Sequence, residues 1–332
     1  MLVLGLESSC DETSAAVIEG DKRIIRSNIV ASQIDVHRLY GGVVPEIASR
    51  AHIEAVSRIT YEALEKAGVG IGDIDAVAVT ANPGLIGALL VGVNFAKSLA
   101  YSRNIPLVSV NHVKAHAAAA YLTDSELEPP FLALIVSGGH TSIFEVTDHR
   151  TFNTIGCTRD DAAGEAFDKI GRVIGMPYPG GAALDKLAYE GNADAIKLPS
   201  PALVGDNLDF SFSGIKTAAL NYINGEKMKG VEPNAADIAA SYTGTIVEAL
   251  AKKCEAALKK TGYKRMVLAG GVAANSHLRR AILEVCDAHN VSLTVPPLSL
   301  CGDNAAMVAQ AGYFEYEAKI FASTDLNASA ND

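Results

Sequence analysis

Several common signatures are missing from this chain, and each absence narrows the reading. The five cysteines, Cys10, Cys157, Cys254, Cys286 and Cys301, are scattered and odd in number, and no C-x-x-C pair occurs. Neither a disulfide framework nor a thiolate zinc site is therefore expected. No apolar run reaches the roughly 18 residues of a membrane span, and there is no low-complexity tail, heptad array or short-period repeat. The opening stretch MLVLGLESSCDET has no basic n-region and meets Glu7 at once, so it does not read as a secretory signal. No membrane association is expected, and the cytoplasm is the expected compartment. A basic excess is missing too. The formal net charge is −10, which disfavours broad electrostatic capture of nucleic acid. The cluster Lys252, Lys253, Lys259, Lys260, Lys264, Arg265, Arg279 and Arg280 reads either as a solvated helix face or as a local basic face. Neither the G-x-G-x-x-G fingerprint nor a Walker A loop is present.

What remains is the composition of a globular protein, 49% apolar and 20% charged over 332 residues, long enough that two lobes are the default. Residues 2–6 and 15–18 read as short strands around the polar turn ESSCDET. Ile47, Ile53, Ile59 and Leu64 recur at near-helical intervals, which predicts a helix over 46–67. The apolar strand IDAVAVT, the break at Pro83-Gly84, an apolar helix and the strand PLVSV follow. This alternation predicts an α/β fold with a mixed or parallel core.

The beginning then recurs. LGLESSCDETSAAVI (4–18) and LIVSGGHTSIFEV (134–146) each read as strand, small polar turn, Thr-Ser pair and second strand. One module used twice, once per lobe, accounts for this. A third glycine-bearing turn lies in MVLAGGVAANSHLRRAI (266–282). Such turns offer backbone N–H groups and hydroxyls to a phosphate, and three of them predict a nucleotide held in a cleft. Taken singly, Gly138-Gly139 reads equally as a tight hairpin and Gly270-Gly271 as a helix entry.

In NHVKAH (111–116), Asn111 stands at the N-cap position, and His112 and His116 lie one helical turn apart on one face. A zinc protease needs H-E-x-x-H, with its water-activating Glu beside the first His. Here that position is Val113, so metal ligation fits and proteolysis does not. The pair needs a third ligand. Asp303 stands at a loop-to-helix junction, where it could equally cap the helix. Asp160, Asp161, Glu165 and Asp168 crowd RDDAAGEAFDKIG, the last three on neighbouring turns of one predicted helix face. Composition alone does not choose among these carboxylates.

The ordered set ESSCDET, GGVVPEIASRAH, NHVKAH, VSGGHT, DDAAGEAFDK, YPGG, FSFSGIKTA and AGGVAAN spans residues 2 to about 320. It resembles the universal tRNA threonylcarbamoyladenosine transferase family, in its bacterial TsaD (Gcp) branch. The resemblance implies an α/β, two-lobed actin/Hsp70/sugar-kinase-like (ASKHA) fold with duplicated lobes around a nucleotide cleft. The lobes are expected at 1–112 plus about 304–325 and at 113–303. It also implies transfer of a threonylcarbamoyl group from threonylcarbamoyl-AMP to N6 of the adenosine 3′ of the anticodon, adenosine 37, in tRNAs reading ANN codons, with release of AMP. By the same resemblance His112, His116 and Asp303 hold one divalent metal ion, iron(II) first, with zinc or magnesium as alternatives. Ile135, Val136, Ser137, Gly138, Gly139, Asp168, Gly181, Asp185 and Asn275 match the adenylate-binding positions, and Asp11 and Glu12 match a turn near the chemistry. Expected partners are tRNA, a non-catalytic TsaB-like paralogue and a P-loop, TsaE-like ATPase. The competing readings are an ASKHA small-molecule kinase or ATPase, a non-catalytic scaffold paralogue and, last, a metallopeptidase.

Overall fold

The computed structural model describes residues 1–331 other than 204 and 206. Two compact units divide the chain: unit 1 comprises residues 1–129, 148–151 and 296–332, and unit 2 comprises 130–147 and 152–295. The expected lobe breaks lay at 112/113 and about 303/304. Compactness instead keeps the histidine helix and the segment before residue 304 in unit 1.

Unit 1 begins with β1 (Leu2–Glu7), β2 (Glu12–Glu19), β3 (Ile24–Ser32), α1 (Ile34–Arg38), α2 (Pro45–Ala67), β4 (Ala76–Asn82), α3 (Ile86–Arg103), β5 (Leu107–Asn111) and α4 (His112–Ala118). Unit 2 follows with β6 (Phe131–Val136), β7 (Thr141–Val146), β8 (Phe152–Cys157), α5 (Ala163–Val173), α6 (Gly181–Leu187), α7 (Ser213–Met228), α8 (Ala235–Thr261), β9 (Arg265–Ala269), α9 (Ser276–Ala288) and β10 (Ser292–Thr294). The chain returns to unit 1 with α10 (Leu298–Cys301) and α11 (Ala305–Glu317).

The sheet of unit 1 has the order β3-β2-β1-β4-β5, and that of unit 2 the order β10-β9-β6-β7-β8. Counted from the first strand of each, these are the same topology, with two antiparallel hairpin steps on one side and two parallel steps on the other. The Thr-Ser repeat is thus a true structural duplication: Glu7 pairs with Ser14 at the end of β1, and Val136 pairs with Thr141 at the end of β6.

Both faces of the unit 1 sheet are covered, which is why its central strands read as unbroken apolar runs. Val3, Ala16, Ile18, Ala76 and Ala78 pack on one side with Ala115 of α4, Ala119 just after it and Ala305–Ala309 of α11. Leu4, Leu6, Ala15, Val17, Val77 and Val79 pack on the other with Ile59 and Ala63 of α2 and Val93, Ala96 and Ala100 of α3. Small residues set the spacing. A Cβ on Gly5 would stand 2.2 Å from the Ala305 carbonyl oxygen, so only glycine in β1 lets the start of α11 lie directly on the strand. The Ala305 N–H also donates to Ser14 Oγ at 2.9 Å. Residues 148–151 join unit 1 through His149, its ring 4.3 Å from Phe314, and Arg150 Nε, 2.9 Å from Glu315 Oε2.

In unit 2, Tyr242 on α8 is buried and its hydroxyl donates to the Ala166 carbonyl of α5 at 3.3 Å. Lys253, read in the sequence as one of a solvated run, is buried, and its Nζ donates to the Leu203 and Asn207 carbonyls at 2.8 and 2.6 Å. Lys252 and Lys259 on the outer face pair with Glu248 and Glu255 instead. Among the described residues no helix is long and apolar enough to cross a membrane.

Candidate metal centre and phosphate turn

The expected helix start holds: the side chain of Asn111 accepts the Lys114 N–H at 3.0 Å and caps α4. From that cap His112 and His116 project to one side, buried, their ring centroids 4.7 Å apart. Asp303 does not cap α11. Asn304 does so, accepting the Met307 N–H at 3.1 Å, and this leaves the Asp303 carboxylate to meet the rings. Its Oδ1 stands 3.5 Å from His112 Nε2 and 3.3 Å from His116 Nε2. Among the described residues this is the one set of three or more His, Cys, Asp or Glu side chains so gathered, with a ligand atom from each within 4.8 Å of the others.

The donor set fits a divalent cation on structural grounds. Both ring nitrogens of His116 are buried without a hydrogen-bond partner, an arrangement that costs free energy unless something coordinates them. Two imidazoles and one carboxylate are borderline to hard ligands, suited to iron or zinc and leaving coordination positions open.

The turn between β1 and β2 adds negative charge. Asp11 is buried. The Glu12 carboxyl is pushed up to about 10 by burial and by the charges of Asp303 and Asp11, so it holds its proton at neutral pH unless a cation offsets that field. The Cys10 thiol is pushed well above its ordinary value by burial and then by Asp11, Asp303 and Glu12, which disfavours a thiolate there. Glu7 behaves oppositely. Burial would raise its carboxyl, but the His112 ring beside it holds it below the usual value, with help from Ser9 and against the charge of Asp303.

Buried His52 steadies this turn from α2. Its Nδ1 lies 2.7 Å from Thr13 Oγ1 and its Nε2 2.9 Å from the Cys10 carbonyl. Burial holds the ring below its ordinary pKa, so it is neutral, with Nε2–H donating to the carbonyl and Nδ1 accepting from Thr13.

In unit 2, Ile135 and Val136 end β6 and are buried, while Ser137, Gly138 and Gly139 form the turn. A Cβ at Gly138 or Gly139 would meet nothing within 4 Å, so backbone is open there for a ligand to approach. The turn is braced from behind. Gly164 packs so closely that an added Cβ would lie 2.5 Å from the Ser137 carbonyl oxygen, and the Ala163 N–H donates to Thr141 Oγ1 at 2.9 Å.

The other expected adenylate contacts have structural bonds as well. Asp168 Oδ1 accepts from Gly180 N and Gly181 N at 2.8 and 3.1 Å, tying α5 to the start of α6. Asp185 accepts from Ser276 N and Oγ at 3.0 and 3.1 Å, tying α6 to α9. Asn275 caps α9 through Leu278 N at 2.9 Å. These residues therefore form one braced surface of unit 2.

Of the acidic run only Glu165 and Asp168 lie within α5, and the four side chains divide among several partners. Asp161 precedes α5 and pairs with Lys216 and Lys169. Glu165 pairs with Lys169 at 2.6 Å, and Asp168 turns to α6. Asp160 serves the FSFSG segment, accepting from Phe212 N at 2.7 Å and from the Ser211 and Ser213 hydroxyls at 2.5 and 2.6 Å. Sequence reasoning gave no role to Thr80, nor to Glu7, Ser9 and His52, although the last three lie in the motifs ESSCDET and GGVVPEIASRAH. A carboxylate or hydroxyl in a strand carries no local sign of what will be packed against it.

Comparison with known proteins identifies the family. The family model described as TsaD: tRNA N6-adenosine threonylcarbamoyltransferase matches residues 24–310. A protein of Clostridium perfringens (strain SM101 / Type A) named tRNA N6-adenosine threonylcarbamoyltransferase is 51% identical over 330 residues, covering 99% of this chain and 97% of that protein. Among solved structures, T. kodakarensis HypF is similar with a TM-score of 0.64 at 16% identity, over 98% of this chain and 49% of that one. The ROK hexokinase from Thermus thermophilus is similar at 0.50 and 17%, over 96% and 100%. At such identities the structural likeness is one of fold, and that fold is the two-lobed ASKHA architecture with duplicated lobes.

Proposed function

Because the chain belongs to the tRNA N6-adenosine threonylcarbamoyltransferase family, we propose that it moves a threonylcarbamoyl group from threonylcarbamoyl-AMP to N6 of adenosine 37 in tRNAs reading ANN codons, releasing AMP. The observation that carries the reading is the meeting of His112, His116 and Asp303, with ligand atoms within 4.8 Å, in a chain of that family.

The donor is a mixed anhydride and already activated, so no covalent enzyme intermediate is needed. The protein's work is to orient donor and amine and to meet the charge that develops on carbonyl and phosphate oxygens. His112, His116 and Asp303 would hold the divalent metal, iron(II) by family resemblance, and when bound it supplies Lewis-acid stabilisation of that charge. In unit 2, Ile135 to Gly139 offer backbone N–H groups to the adenylate phosphate. Asp168, Gly181, Asp185 and Asn275 form the rest of its seat. Asp11 or Glu12 takes the proton from the adenine amine; Glu12, pushed up to about 10 where no cation is bound, can do so only once the cation offsets that field, which puts Asp11 first. A TsaB-like paralogue and a TsaE-like ATPase complete the system in the cytoplasm. A shared surface reconciles the acidic balance of −10 with a tRNA substrate.

The test is reconstitution with synthetic threonylcarbamoyl-adenylate and unmodified tRNA, read by nucleoside mass spectrometry. Threonylcarbamoyladenosine should appear with the wild-type chain and vanish with His116→Ala. No modified nucleoside, together with steady ATP hydrolysis in the absence of tRNA, would replace this reading by the kinase or ATPase one. Asp11→Asn should slow transfer far more than Glu12→Gln, and the reverse order would move the base to Glu12.

A further inference from the structure

Glu7 ends β1, and its side chain is wholly buried. Burying a carboxylate is costly unless its oxygens are met by donors, and here each oxygen is met. Oε1 accepts the Ser9 N–H at 2.5 Å. Oε2 accepts the Thr80 hydroxyl at 2.7 Å and lies 3.0 Å from His112 Nδ1. Ser9 Oγ lies 3.1 Å from the same ring nitrogen.

These partners decide which nitrogen of His112 carries the proton. A bare Nδ1 would aim its lone pair at a carboxylate oxygen. A protonated Nδ1 donates to Glu7 and leaves Nε2 with its lone pair on the side of Asp303. Nε2 then faces Asp303 Oδ1 at 3.5 Å, and His116 Nε2 lies 3.3 Å from the same oxygen. Three electron-pair donors converging in this way are a cation's ligands. His116 has no counterpart to Glu7, since neither of its ring nitrogens has a hydrogen-bond partner.

We propose that Glu7 is the positioning residue of the metal centre, fixing the tautomer and ring angle of His112 so that Nε2 is presented to the cation, with Thr80 and the Ser9 N–H holding Glu7 in turn. This rests on the metal reading above and adds to it a residue that touches neither metal nor substrate. Carboxylate-bonded imidazoles are the usual second layer of a metal site, and losing the carboxylate weakens metal affinity about 10- to 100-fold.

Glu7→Gln is the informative change because it keeps shape but leaves one acceptor where two are used. If the amide nitrogen faces His112 and Thr80, it favours the opposite His112 tautomer; if it faces Ser9, it meets the backbone N–H head on. The full-length chain, stripped with a chelator, is titrated with Co(II) alone and followed by its ligand-field absorption, and the protonated nitrogen of His112 is read by ¹⁵N NMR in the metal-free protein. Expected are Nδ1–H in the wild type, an affinity for Co(II) lower by about 10- to 100-fold in E7Q with a shifted band, the other tautomer wherever the amide nitrogen faces His112, and no site in H116A or D303A. E7Q with wild-type affinity, band and tautomer, while H116A and D303A lose the metal, overturns the Glu7 proposal and leaves the metal reading standing. H116A and D303A binding Co(II) like the wild type overturns both. If E7Q does not fold, T80V carries the test, since it removes one donor to Glu7 without touching a ligand: several-fold weaker Co(II) binding supports the proposal, and unchanged binding overturns it.

Discussion

The β1–β2 turn of unit 1 and the β6–β7 turn of unit 2 occupy the same place in two sheets of the same strand order, yet their chemistry is opposite. In the first, the strand ends on buried Glu7, the turn carries Asp11 and Glu12, and buried histidines from α2 and α4 pack against it. In the second, the strand ends on buried Val136, and the turn is Ser137-Gly138-Gly139 with open space where side chains would stand. One scaffold has thus been given a carboxylate-rich turn suited to a cation and a backbone-lined turn suited to an anion. The difference lies in a handful of side chains at one strand end.

That contrast can be broken most severely at the cation side. If the proposed centre holds a cation, Asp303→Ala or His116→Ala should lower the transfer rate by at least about 10²-fold, because either would leave only two of the three ligands. Single-turnover transfer to unmodified tRNA measures it, and a loss below tenfold would remove the metal from the chemistry. Next in size is a transplant between the turns. Glu7→Val gives unit 1 the residue of unit 2 and strands the Ser9 N–H, the Thr80 hydroxyl and His112 Nδ1 without their acceptor. Urea denaturation should show a loss of about 1–3 kcal/mol, whereas an unchanged midpoint would mean that water or a rotated neighbour replaces the carboxylate.

On the anion side the expected signature is a loss of binding without a loss of stability. Gly138→Ala and Gly139→Ala meet no atoms of the protein, so stability should stay within about 0.5 kcal/mol. Affinity for AMP, measured by calorimetry, should fall about tenfold, roughly 1.4 kcal/mol, because the methyl would take the space that a phosphate at the proposed seat needs. Unchanged AMP binding in both would take the phosphate away from this turn.

The smallest effect concerns pH and again separates the turns. His52, which braces only the unit 1 turn, has its folded pKa lowered by burial. A lowered imidazole leaves stability intact above its unfolded value of about 6.5. Stability is lost as pH falls below that, because the unfolded chain binds the proton first. The urea midpoint should therefore decline from pH 7 toward pH 5.5, and less steeply in His52→Gln. In unit 2, Asp160 is raised by burial but held below its ordinary value by Ser211, Ser213 and Phe212 N–H, so its contribution persists to pH 3.8 and is lost only beneath it. Equal slopes for wild type and His52→Gln above pH 5.5 would show that His52 does not brace the turn.

Much of this was legible in the amino-acid sequence, for identifiable reasons. The strand–turn–strand repeat betrayed the duplication because a Thr-Ser pair lies at the start of the second strand of each hairpin. The helix of 45–67 and the Asn111 cap follow from periodicity and local hydrogen bonding, which need no tertiary information. His112 and His116 were visible because a helix alone brings them together. Asp303 was not singled out by its surroundings: it shared a junction with Asn304, and only the structure shows which of the two caps α11. The jobs of Asp160, Asp161, Glu165 and Asp168 were beyond reach for the same reason, since each is defined by a partner distant in sequence or by the exact start of α5. Glu7 is the extreme case. Its burial depends on β4, α4 and its own turn at once, and nothing beside it announces that.

The seating of α11 on Gly5 has a consequence for fragments of the protein. The first strand and the imidazole pair stand far ahead in the chain of the aspartate that meets the rings and of the helix that covers Gly5. A fragment that includes His116 but stops before Asp303 therefore keeps both imidazoles but loses, in one cut, the carboxylate that faces them and the lid on the first strand.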